Sequence, residues 1–84
     1  MDKEAEQYYD NYFSLFRQQG WKQLMNDFGQ NAGQINSVEA TKDADDMQFR
    51  KGQLNVIGYL LNMESIMNTN YEQASEEPET EEDD

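Results

Sequence analysis

Of the side chains that carry most enzyme and metal chemistry, this 84-residue chain lacks two kinds entirely. It has no histidine, the commonest general base near neutral pH and the commonest metal ligand. It also has no cysteine, so it has no thiolate chemistry and no disulfide framework. Ser14, Ser37, Ser65 and Ser75 therefore have no imidazole to activate them. Carboxylates occur along the whole chain, which makes any one pair uninformative as an acid and base. The run Asp43-Ala44-Asp45-Asp46 is the one place where spacing suggests a cation. An EF-hand loop wants oxygen ligands at its positions 1, 3 and 5, Gly at 6 and Glu at 12. Counted from Asp43, positions 5, 6 and 12 are Met47, Gln48 and Leu54, so the pattern fails and the acids read as a helix cap. The expectation is a non-enzyme with no cofactor and no metal.

Aromatic contact chemistry is better represented, with five Tyr, four Phe and one Trp. Tyr8, Tyr9, Tyr12, Tyr59 and Trp21 can serve as core or as a binding surface. Tyr8 and Tyr12 lie four residues apart and cannot share the centre of one helical face with Tyr9 and Phe16. Some aromatic area is therefore left for a partner. Tyr8, Tyr12 and Tyr59 are the candidate protein-contact residues, because their polar tips tolerate both water and burial.

Three helices are expected to position these groups. Asp2 caps the first, which runs to about Arg17 with Glu4 and Glu6 in its first turn and Gly20 as its stop. Tyr9, Phe13 and Phe16 form its inner face, widened by Tyr12 and Leu15. Trp21, Leu24, Met25, Phe28, Ala32, Ile35 and Val38 outline a second helix. Gly29 and Gly33 within it either permit close approach of another backbone or end the helix near Gly29, after which it restarts. Thr41 or Asp43 caps the third helix, which runs through Met47 to Met67 and on to about Gln73. Phe49, Val56, Leu60, Met63 and Met67 form its main stripe, with Leu54, Ile57 and Leu61 beside them. So wide an apolar face predicts two covering partners. Gly52, on the main stripe, predicts a gap filled by Trp21 or Phe28. Asp46 and Arg50 have the favourable order for an ion pair four residues apart.

The fold expected is all-α: a short aromatic N-terminal helix, then an antiparallel helical hairpin with a long C-terminal helix. Residues 1–74 form the helical domain and residues 75–84, SEEPETEEDD, a disordered acidic tail. Seven of the 18 carboxylates lie in that tail, so the rest of the chain carries about −5 of the net −12. Six bases against 18 acids argue against direct nucleic-acid binding, and Arg50-Lys51 is too small a basic group for phosphate recognition. The acidic start MDKEAEQ has no apolar h-region, and no apolar run approaches the ~18 residues of a membrane span. A core drawn from roughly 70 residues is small, so self-association or a partner is expected.

Phe13-Ser14-Leu15-Phe16 followed by Gly20-Trp21-Lys22, together with Phe49-Arg50-Lys51-Gly52-Gln53-Leu54 and Leu60-Leu61-Asn62-Met63-Glu64, resembles small acidic helical proteins of tailed bacteriophages. The likeness covers residues 8–67 and carries over no functional residues. It implies a phage accessory or virion assembly protein, located in the host cytoplasm or the virion, that acts through helix-mediated contacts with a phage structural protein. The acidity supports a different expectation, an inhibitor that mimics DNA and occupies a basic groove of a host enzyme such as RNA polymerase or a nuclease. Carboxylates concentrated in a flexible end weigh against that alternative, since mimicry needs them on a rigid surface.

Overall fold

Side-chain caps mark where two of the four described helices begin. A computed structural model of the protein describes residues 1–76, all-helical and without a strand among the described residues. Most of the acidic tail lies outside the described residues. Helix α1 spans Lys3–Phe16, and the Asp2 carboxylate accepts a hydrogen bond from the Ala5 N–H at 2.8 Å. It stops before Gly20, because Gln18 adopts an extended backbone (φ −74°, ψ 141°). Gly20 instead falls in the first turn of α2, Gln19–Ile35.

Helix α2 is continuous through Gly29 and Gly33. Trp21, Met25, Phe28, Ala32 and Ile35 are its half-buried residues, spaced 4, 3, 4 and 3. Val38, expected to extend that stripe, lies beyond the helix and is 91% exposed. The glycines approach nothing: a Cβ at either would have no neighbour within 4 Å.

Asp43 caps α3, Ala44–Leu61, by accepting from the Asp46 N–H at 2.8 Å. Thr41 turns the loop instead, donating its hydroxyl to the Ser37 carbonyl at 2.6 Å. The single long helix expected to reach Gln73 is divided at Asn62, and α4 occupies Met63–Glu76. The cause is local. Asn62 sits at φ −98°, ψ 3°, and its side-chain amide donates to the Gly58 carbonyl at 2.9 Å alongside its own backbone N–H at 3.1 Å. An Asn that bonds the preceding turn in this way competes with regular helical pairing. The Asn62 carbonyl then accepts from the Ile66 N–H at 2.9 Å and starts the new helix.

Helix α2 packs along α3 as an antiparallel hairpin, and α1 packs along α4. The thinnest dimension is 15 Å, room for two helices in depth and too little for a third layer.

Two expectations about α3 fail for that reason. Only α2 lies along it, so its wide apolar face is covered on one side. Arg50 donates to the Ile35 carbonyl at 2.8 Å, which places its row, Arg50, Leu54 and Ile57, on the α2 side. Ile57 is buried and Leu54 half-buried, whereas Phe49 and Val56 of the expected main stripe are 65% and 63% exposed. Gly52 likewise faces open space, and Trp21 packs on Phe16 instead, with ring centroids 5.1 Å apart. Among the described residues only Phe16, Ile57 and Met67 are buried hydrophobics.

Candidate interaction surface

Helix α1 carries aromatic side chains on two adjoining faces, and α4 answers only one of them. On the inner side Tyr71 of α4 inserts between Tyr9 and Phe13, edge to face with each at 5.4 Å. Phe13 continues to Phe16 at 6.4 Å, and Phe16 to Trp21 across the break at Gln18. Tyr71 is easily missed in a pattern whose dense apolar run ends at Met67. Its signal is the spacing Met67, Tyr71, Ala74, which continues the helical row by four and three residues.

On the outer side Tyr8 meets Tyr9 at 5.2 Å and Tyr12 at 5.3 Å, both edge to face. Tyr8 is 50% exposed, Tyr59 of α3 is 46% exposed, and Tyr12 is half-buried against Phe16 at 6.0 Å. The Tyr8 phenol ionises above its ordinary range, first because Tyr12 lies beside it, then because of partial burial, with Tyr9 and Tyr59 acting in the same direction. Tyr8 and Tyr12 are in contact on α1, while Tyr59, on α3, makes no ring contact with either among the described residues. Such tyrosines offer ring faces and hydroxyls to a partner, and they hold no base to drive a reaction.

A second constellation closes the loop between α2 and α3. Arg50 donates to the Asp46 carboxylate at 3.0 Å, to the Ile35 carbonyl at 2.8 Å and to the Ala40 carbonyl at 3.2 Å. The expected Asp46–Arg50 pair is therefore present and does more than decorate a helix. Asp46 is held below the usual carboxylate range, first by the Lys42 backbone N–H at 3.0 Å and then by the Arg50 side chain. Lys42 and Lys51 join Arg50 along an open cleft of about 450 Å³ whose apolar wall includes Ile35, Met47 and Leu54. Sequence order hid that Lys42 belongs with the basic pair. Arg50 gives one N–H donor to Ile35 at the end of α2 and one to Ala40 in the loop, so the cleft anchors residues 36–43.

Among the described residues no cluster of three or more potential ligands could hold a metal ion. No described helix is long and apolar enough to cross a membrane. Comparison with protein-family models, curated proteins and solved structures finds no match to this chain.

Proposed function

We propose that this chain acts through protein–protein contacts and not through catalysis, as an accessory or assembly component of a tailed-phage particle. The observation that carries the contact role is exposed Tyr8 resting on half-buried Tyr12 on α1, with Tyr59 exposed on α3. Tyrosine suits an interface because its ring supplies contact area at little conformational cost, while its hydroxyl keeps a partner in water and in the complex. The phage assignment is supported by the sequence resemblance in residues 8–67 and by nothing geometric.

The test is affinity capture from infected cells with full-length bait, bait lacking residues 75–84, and a Tyr8→Ala/Tyr59→Ala bait. Recovery of particle proteins by the first two baits at high salt, with at least about tenfold less on the third, is the expected outcome. The double variant should keep its helical circular dichroism, since both side chains are largely exposed. Capture of a host nucleic-acid enzyme by full-length bait alone, lost in high salt, reverses the proposal in favour of DNA mimicry.

A further inference from the structure

Three of the chain's six bases, Lys42, Arg50 and Lys51, line one cleft, in a protein of net charge −12. Asp43 is the only acid in the lining, and its carboxylate accepts the Asp46 N–H at 2.8 Å as the cap of α3. Asp46 pairs with Arg50 at 3.0 Å and lines the neighbouring hollow with Asn31 and Phe49. Asp45 stands about 200° round α3 from Met47, on the far side of the helix. Lys42 and Lys51 are exposed, and neither makes an ion pair among the described residues. Two uncommitted cations therefore border a single hollow. Beside them lies apolar surface that nothing covers: Val38 is 91% exposed and Met47 52% exposed, next to half-buried Ile35 and Leu54. The loop that carries Val38 and Lys42 is tied down by Arg50 on the Ala40 carbonyl, by Thr41 on the Ser37 carbonyl, and by the Ala40 N–H on the Ser37 hydroxyl at 3.2 Å. The cleft is thus formed in advance of any ligand, which lowers the cost of binding one.

We propose that this cleft binds a small amphipathic anion, an alkyl chain of medium length ending in a carboxylate or phosphate. The alkyl chain lies on Val38, Met47 and Leu54, and the head group is held by the Lys42 and Lys51 ammonium groups. Apolar surface alone would accept any apolar occupant. The lysines narrow the choice to anions, because a cation would meet three bases against one acid in the lining. A long polyanion is disfavoured, since beyond the cleft it would run along a chain of net −12. Size separates a small ligand from a protein partner. The volume of about 450 Å³ lies within the range of small-molecule sites, roughly 300–1,000 Å³. The eleven lining residues fall well short of the ~20–30 a side of a standard protein interface. Along α3 the apolar wall runs from Met47 to Leu54, about 10 Å, and the flexible Met47 thioether can adapt to a chain laid against it. Lys42 is the decisive addition: with Arg50 neutralised by Asp46, Lys51 alone would be a single exposed charge. The cleft shares no residue with Tyr8, Tyr12 or Tyr59, so either assignment can fail alone.

Isothermal titration calorimetry of the full chain with decanoate, and separately with decyl phosphate, tests the inference. At least one should saturate a single site with a Kd of about millimolar or tighter, and the tighter of the two names the head group. Amide NMR shifts should move within residues 35–54. Lys42→Ala/Lys51→Ala should weaken binding by at least about tenfold, the scale of losing charge-assisted contacts. Both lysines are exposed, so the helical circular dichroism of this variant should persist. Val38→Ser should weaken binding about threefold, because its methyl groups gain cover only from the ligand. Lys22→Ala removes an exposed base outside the cleft and should change nothing. Acetate, a head group without a chain, and decylammonium, a chain with the opposite charge, should each bind at least about tenfold more weakly. The inference is overturned if neither probe saturates a site up to about 10 mM, beyond the weak end of measurable affinity. Decylammonium binding as tightly as decanoate also overturns it, and so does Lys22→Ala weakening binding as much as the double variant. Shifts concentrated in α1 and α4 would equally remove the ligand from this cleft.

Discussion

Arg50 ties the end of α2, the loop and the start of α3 to one another through a single guanidinium. Its planar fork of donors suits that task, and a Lys at the same position could not reach three acceptors in fixed directions. Asp46 completes the arrangement and gives it a pH dependence with a definite sign. Its pKa in the folded chain lies below its ordinary value, so it contributes stability that is fully present above the unfolded pKa and is lost as pH falls through the folded one. Other carboxylates titrate in the same range, and acid also relieves the repulsion of a −12 chain, so the informative quantity is a difference. Thermal melts of wild type and Asp46→Asn from neutral pH into acid should show a stability gap that narrows below about pH 4. A gap constant with pH would assign the loss in Asp46→Asn to something other than ionisation.

The pairing of α1 with α4 depends on aromatic side chains, while that of α2 with α3 depends on a longer mixed apolar seam and the Arg50 anchor. The two pairs should therefore differ in strength. Tyr71 is the residue by which α4 holds α1, since it stands edge to face with both Tyr9 and Phe13. Tyr71→Ala should weaken that docking by about 1–3 kcal/mol, the scale of two aromatic pair contacts plus partial apolar burial. Hydrogen exchange is the direct readout: the amides of α1 should lose protection while those of α2 and α3 keep theirs. Equal loss across all four helices would mean that the arms unfold as one unit.

As a whole the molecule is short of interior. Three buried hydrophobic side chains among the described residues and a 15 Å minimum thickness describe an open arrangement, whereas small stable domains generally bury a larger share of their surface.

Helix positions were readable from local chemistry because capping and periodicity act between near neighbours. Asp2 and Asp43 each cap a helix with a carboxylate, and the aromatic row of α1 and the Trp21-to-Ile35 row of α2 emerge directly from spacing. The break at Asn62 was harder to see, because Asn is only a weak helix breaker and its competing bond to Gly58 exists once the turn has formed. Orientation lay beyond local reach. Helix α3 is apolar on several sides, so periodicity offered two stripes, and the fold divides both: Leu54 and Ile57 of one and Leu60, Met63 and Met67 of the other are covered, while Leu61, Phe49 and Val56 are exposed. Tyrosine as a contact residue follows from side-chain chemistry, but the seating of Tyr71 between Tyr9 and Phe13 depends on how α1 and α4 are arranged in space. Composition and spacing thus decided which segments are helical and which residue types they expose, since those interactions span a few residues. Tertiary packing decided which faces meet, because equivalent stripes differ only in the distant partners they find.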